Sequence, residues 1–205
     1  MNESAWAQFL VDQGVLKFGD FQLKDGSRSP FFLDFGALAT GSSFRELGEF
    51  FAGLIVEKVG LDAIDFLYGP PYKATMLAGA TAMMWPEGDI PCLFTRKEAK
   101  KHGEGGTSFG YQPQPGERYV LIDDVMSSGG TKLEALENLS GSQCVAVVVG
   151  VDREHLEGSS TAAQLFTEKT GVPVYSLIGL GRLCQALEGK IESGRHQAMK
   201  EFCGA

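Results

Sequence analysis

The sequence predicts an α/β protein with a central parallel sheet flanked by helices, and three observations carry that prediction. From residue 63 onward short apolar runs alternate with helical patterns: AIDFLYG, IPCLF, RYVLID, QCVAVVVGVD and VPVYSLI. These runs are nearly unbroken in Val, Ile and Leu, the mark of strands covered on both faces. A length of 205 residues with 43% hydrophobic content suffices for one domain with a substantial core, and no internal repeat divides the chain.

Each element has a local reason. Glu3 to Asp12 reads as a short amphipathic helix, with Trp6, Phe9 and Leu10 on one side. VLKFGDFQL and SPFFLDF read as strands divided by the turn-forming KDGSR. Phe44 to Val59 is helical, since Phe44, Leu47, Phe51 and Leu54/Ile55 recur at spacings of three and four. Tyr72 to Trp85 is a small-residue helix between the first two strands of the alternating series. Thr95 to Gly116 is a polar stretch containing five glycines. Helices are expected from about Gly130 to Leu139, near Thr161 to Thr170, and from Arg182 onward.

Composition narrows the function classes. Eighteen Lys and Arg against 26 Asp and Glu give a formal charge of −8, with a pI near 4.9. A broad nucleic-acid surface is therefore not expected, because such surfaces are basic. No run approaches the ~20 apolar residues of a membrane span. The opening MNESAWAQFL carries acid and no long apolar core, unlike a signal peptide. Cys92, Cys144, Cys184 and Cys203 form no C-x-x-C pair and read as free thiols. The expectation is a cytoplasmic protein.

In open parallel sheets ligands bind at the carboxyl ends of strands, and four of those ends are unusual here. YVLI is followed by Asp123, Asp124 and VMSSGGT. Taken alone, the acids and hydroxyls also suit a strand end that meets a helix start. Capping needs one such residue, however, and several crowd this turn. The backbone N–H groups and hydroxyls of Ser127, Ser128, Gly129, Gly130 and Thr131 suit a phosphate monoester. The two carboxylates would repel phosphate, so they must face sugar hydroxyls or magnesium. Together they describe a site for a ribose 5-phosphate.

In the second end, TRKEAKKHGEGG, the seven residues 95–101 set Arg96, Lys97, Lys100 and Lys101 against Glu98, a local charge of 4 − 1 = +3. It can be a solvated face. With glycines at 103, 105 and 106 it also suits a mobile loop of about 95–116 that closes over a polyanionic leaving group. The third, GPPYK, is either a rigid turn or a backbone that aims N–H groups and Lys73 at pyrophosphate. The fourth is Asp152-Arg153 after VVVGV.

Taken together, these residues resemble the type I phosphoribosyltransferases and, within them, the orotate phosphoribosyltransferase family. VLIDDVMSSGGT looks like the superfamily's motif for 5-phosphoribosyl 1-diphosphate (PRPP). RKEAKKHGEGG is the segment that points to the orotate branch, and LKDGSRSPFF, GPPYK and VDRE fall in the expected order. The resemblance covers essentially the whole chain and implies one domain over 1–205. In that domain a small hood, from about 1–40 plus a C-terminal part, caps the sheet.

The resemblance further implies PRPP contacts from Lys24, Tyr72, Lys73, Arg96, Lys97, Lys100, His102, Asp123, Asp124, Val125, Met126 and the 127–131 turn. Orotate contacts are implied from Phe32, Leu33, Ser127 and Arg153. Catalysis is implied for Lys100, His102, Asp123 and Asp124, with magnesium carried mainly by PRPP. A homodimer that shares the basic loop across its interface is implied as well. Leu33, Ser127 and Pro71 stand where the family often has an aromatic, a threonine and a small residue. Another nucleobase phosphoribosyltransferase would share the PRPP motif but lack Lys24, SPFF and Arg153 as a set. A non-catalytic PRPP sensor can dispense with the basic loop. A phosphatase with Asp123 as nucleophile fits less well, since an acid pair followed by glycines does not supply a separate acid and base.

Overall fold

Asn2 starts the first helix, α1 (Glu3–Asp12), by accepting through Oδ1 from Ser4 N at 3.1 Å and Ala5 N at 3.2 Å. This is a computed structural model, and it describes residues 2–23, 26–98 and 107–204. Helix α1 buries Trp6, Phe9 and Leu10. Its indole Nε1–H donates to Gly150 O at 2.9 Å, so one end of the chain is tied to a central strand. Strands β1 (Leu16–Gln22) and β2 (Arg28–Leu33) form an antiparallel hairpin with Leu16 opposite Leu33. Helix α2 (Gly41–Lys58) begins at Thr40, which forms a capping box with Ser43.

The alternating part follows as β3 (Phe66–Gly69), α3 (Lys73–Met83), β4 (Cys92–Thr95), β5 (Ser108–Gly110), β6 (Arg118–Met126) and α4 (Gly130–Asn138). It continues with β7 (Gln143–Asp152), β8 (Leu156–Glu157), β9 (Ser160–Thr161), α5 (Ala162–Thr170), β10 (Val174–Gly179), α6 (Leu180–Ala186) and α7 (Ser193–Cys203). The six-stranded sheet has the order β10-β7-β6-β3-β4-β5, and every pairing is parallel except β4 with β5. The predicted fold class holds.

Both faces of the sheet are covered, as the unbroken apolar runs require. One core holds Trp6, Phe35, Phe51, Val120 and Val148. The other holds Phe66, Tyr119, Leu121, Val147 and Phe166. Neighbouring residues of β6 thus go to opposite sides, as the period of two dictates. Gly69 makes the turn from β3 into α3 possible, because a Cβ there would lie 2.3 Å from Ala74 O.

Four features differ from the local reading. Strand β6 continues through Asp123 and Asp124 to Met126, because β7 supplies backbone partners as far as Met126 opposite Asp152. The polar 95–116 stretch contains β5, which pairs back on β4 with Thr95 opposite Ser108. A short β8–β9 hairpin precedes α5. The helix expected from Arg182 begins at Leu180 and is broken into α6 and α7, with Gly189 at φ +71° between them.

Candidate active site

The site is built where β6 outruns its neighbour. Strand β3 pairs with β6 as far as Tyr68 opposite Leu121, whereas β7 stays paired to the end of β6. Asp123 and Asp124 therefore lie at the carboxyl edge, backed by β7 and open where β3 has turned away into α3.

Successive strand residues face opposite ways, and the two acids accordingly have different surroundings. Asp123 Oδ2 accepts from Lys132 Nζ at 2.5 Å, and its Oδ1 accepts from Asp124 N at 2.9 Å. The same ammonium donates to Val125 O at 2.7 Å. This pair is buried, with side-chain exposures of 3% for Lys132 and 14% for Asp123. Asp124 Oδ1 accepts from Val125 N at 2.7 Å. Burial, then the charge of Asp123, push the Asp124 carboxyl above its ordinary value, while Lys132 and Lys73 pull it back.

Beyond Met126 the chain turns into α4 through Ser127, Ser128 and Gly129. Gly129 is the N-cap at φ +76°, and no side chain caps the helix there. A Cβ at Gly129 would add a 3.1 Å contact with Met126 Cε to an already unfavourable backbone conformation. Ser127, Ser128, Gly130 and Thr131 are exposed. An uncapped helix start ringed by hydroxyls is suited to an anion. Val125 is half-buried and Met126 fully buried.

Lys73 opens α3, and its Nζ donates to Asp34 Oδ1 at 3.1 Å. Lys17 donates to the other oxygen of Asp34 at 2.6 Å, and Gly36 N donates to Oδ1 at 3.1 Å. The Lys17 hydrogen bond, then Lys73 acting against a burial penalty, hold the Asp34 carboxyl below its ordinary value. Asp34 directly follows β2, so the hairpin reaches the carboxyl edge of the sheet. The peptide between Pro71 and Tyr72 is cis. Tyr72 is 71% exposed, and the Lys97 ammonium lies 5.0 Å from its ring centre. Arg96 stacks over Phe109 at 4.7 Å. Lys24, Lys100 and His102 lie outside the described residues.

Of the residues expected at the base, Phe32 is 40% exposed, with Phe21 beside it at 5.6 Å between ring centres. Leu33, expected beside Phe32, instead turns inward and is 7% exposed. Strand alternation puts Phe31 and Leu33 in the core and Phe32 outside it. Arg153 follows β7, and its N–H donates to Met126 O at 3.0 Å, which brings it beside the start of the turn. Its guanidinium lies 5.9 Å from the Phe202 ring of α7.

The sequence reading missed Lys132, Asp34 and Lys17. One signal for Lys132 was available, since a lysine in the first turn of a helix opposes the helix dipole and needs a local anion. Nothing local marked Asp34, whose lysine partners lie 17 residues before it and 39 after it.

No family model matches the chain. A solved structure of orotate phosphoribosyltransferase from Francisella tularensis superposes with a TM-score of 0.79 at 26% identity, covering 97% of this chain and 96% of that one. The likeness puts the fold among the phosphoribosyltransferases. Among curated relatives, orotate phosphoribosyltransferase of Laribacter hongkongensis is 42% identical, covering 89% of this chain and 86% of its own. The enzyme of that name from Pseudomonas fluorescens is 38% identical, covering 92% of this chain and 90% of its own. The chain belongs to the orotate phosphoribosyltransferase family.

Proposed function

We propose that the chain transfers the 5-phosphoribosyl group of PRPP to orotate, giving orotidine 5′-phosphate and pyrophosphate in the synthesis of pyrimidine nucleotides. The observation that supports this best is the run of Asp123 and Asp124 along the β6 overhang into the uncapped start of α4. Acids and an anion cradle in that order match a sugar with a diol on C2 and C3 and a phosphate on C5.

In this reading the 127–131 turn takes the 5-phosphate and the acid pair lies beside the ribose, with Asp124 facing its hydroxyls. Tyr72, Lys73, Arg96 and Lys97 line the path of the pyrophosphate, with Lys24, Lys100 and His102 assigned there from the family motif. Orotate lies against Phe32 and the Ser127 hydroxyl, its carboxylate toward Arg153. A ring nitrogen of orotate gives up its proton and bonds to C1 of the ribose as the C1–O bond to pyrophosphate breaks. The protein positions the reactants and neutralises the charge that departs, which is the larger part of such catalysis.

Magnesium fits this site as an ion held mainly by substrate phosphates. Hard cations bind through one or two carboxylates plus phosphate oxygens, and Asp124 at this edge can supply the carboxylate. When bound, the ion would neutralise part of the pyrophosphate charge.

We also infer a homodimer. Tyr72, Met76 and Met83 line one face of α3 with exposures of 71%, 39% and 85%, at helical spacings that place them together. Lys97, the root of the basic loop, lies over Tyr72 at that face, which favours a loop shared between subunits. The β1–β2 hairpin, with α7 against it, forms the hood of the single domain. Four free cysteines suit the reducing cytoplasm. No helix among the described residues is long and apolar enough to cross a membrane.

Loss of orotate absorbance on mixing with PRPP and magnesium tests the activity, with uracil and hypoxanthine as competing bases. Turnover of orotate alone is expected. Turnover of another base would reassign the substrate, and PRPP binding without turnover would make the chain a sensor.

A further inference from the structure

Among the described residues Lys132 is the most deeply buried ionic side chain at the carboxyl edge of the sheet, and the reaction described above assigns it no task. At 3% exposure it lies in the first turn of α4, where the helix dipole opposes a cation. A buried lysine is retained only where its charge is met. Here it is met twice, by Asp123 Oδ2 at 2.5 Å and by Val125 O at 2.7 Å. Both partners lie on β6, one on either side of Asp124 in sequence.

Two consequences follow from that geometry. First, the carboxylates of the acid pair are not equivalent. Asp123 is engaged through one oxygen by Lys132 and through the other by Asp124 N, so both of its oxygens are already occupied in part and its charge is met within the fold. Second, the strand end and the first turn of α4 are clamped together across residues 126–131, the segment whose N–H groups form the anion cradle. We propose that Lys132 is a positioning residue for PRPP. It neutralises Asp123, holds the cradle in shape, and leaves Asp124 as the carboxylate that meets the ribose hydroxyls.

The charge argument sets the direction of the effect. PRPP brings a phosphate to the cradle, and an unpaired Asp123 carboxylate beside it would repel that phosphate. Lys132 cancels the repulsion without touching the substrate. Removing Lys132 alone should therefore harm PRPP binding, and removing Asp123 as well should restore much of it. A lysine that served the fold alone would not show this recovery.

The inference rests on the PRPP reading of the site, so the test starts with binding of PRPP to the full-length wild-type protein by calorimetry. The variants are Lys132→Met and Lys132→Met with Asp123→Asn, each followed by thermal melting and by the KM for PRPP and for orotate. Lys132→Met should weaken PRPP binding roughly ten- to a hundredfold, as expected for one uncompensated charge at a part-buried site. The KM for orotate at saturating PRPP should stay within about threefold, since the base is assigned to Phe32 and Arg153, which share no partner with the Asp123–Lys132 pair. The double variant should bind PRPP within about fivefold of wild type, because an isosteric neutral pair replaces an ionic one.

Wild-type binding of PRPP together with unchanged binding by Lys132→Met would overturn the role of Lys132. So would equal losses for both substrates with no recovery in the double variant, which is what general misfolding gives. Failure of the wild-type protein to bind PRPP would overturn the reading of the site, and this inference with it.

Discussion

The Asp34 carboxylate accepts from the Lys73 ammonium at 3.1 Å and from Lys17 at 2.6 Å, which joins the end of the β1–β2 hairpin to the start of α3. The hairpin bears Phe32, the aromatic assigned to the base, and α3 begins with the lysine assigned to pyrophosphate. One acid therefore links the two halves of the site.

That link should respond to acid. Asp34 is held below its ordinary value of 3.8, chiefly by Lys17. A carboxyl depressed on folding contributes stability above its unfolded value and loses it as pH falls through the folded one. Melting temperature should therefore drop more steeply below about pH 4 in wild type than in Asp34→Asn. Both lysines are more than a third exposed, so the effect at pH 7 should stay under about 1 kcal/mol. Parallel melting curves for the two proteins between pH 7 and pH 3 would show that Asp34 contributes no acid sensitivity.

Asp124→Asn should lower kcat/KM at least about a hundredfold, the scale of losing one polar contact that strengthens in the transition state. Its melting temperature should remain near wild type. Asp123→Asn should instead destabilise the fold by roughly 3–5 kcal/mol, because it leaves the Lys132 charge buried without its partner. Circular dichroism melts beside initial rates would separate the two. Equal melting temperatures for both variants would contradict the division of the acid pair.

Arg153→Ala should raise the KM for orotate far more than that for PRPP. A charge-assisted bond to a partly buried carboxylate contributes about 1.5–3 kcal/mol, or roughly ten- to a hundredfold. Initial-rate kinetics with each substrate varied in turn would check it. Equal changes in both constants would make Arg153 a structural residue.

The proposal that the loop is shared between subunits can be tested by complementation. Lys100→Ala and Arg153→Ala homodimers should each be nearly inactive. Refolding an equal mixture should place about half of all subunit pairs in heterodimers, given closed two-fold symmetry. If the loop crosses the interface, each heterodimer has one site with both lesions and one with neither. Activity should then return to roughly a quarter of wild type. Confirmed heterodimers without recovery would show that the loop serves its own subunit.

Much of this protein is determined locally. Strand β7 (Gln143–Asp152) was legible to the residue, because a strand covered on both faces needs an unbroken apolar run. Helix α1 (Glu3–Asp12) was equally plain, since its apolar side follows the helical period. The acids, hydroxyls and glycines of the 123–131 segment were visible for the opposite reason, as polar residues where a core would take none.

What stayed hidden depends on partners remote in sequence. Whether β6 stops at Asp123 or continues through Asp124 to Met126 is decided by β7, whose backbone pairs with it through Met126. That β4 turns back into β5 depends on pairing across a glycine-rich stretch with no strand pattern of its own. Leu33 could be placed beside Phe32 in sequence, but the pleat sent it into the core. The Asp123–Lys132 and Asp34–Lys73 pairs exist because packing sets the rotation of α4 on the sheet and the height of the hairpin above it. Periodicity is a property of neighbouring residues and can be read from them. The meeting of two charges across elements is a property of how those elements pack, and only the tertiary structure decides it.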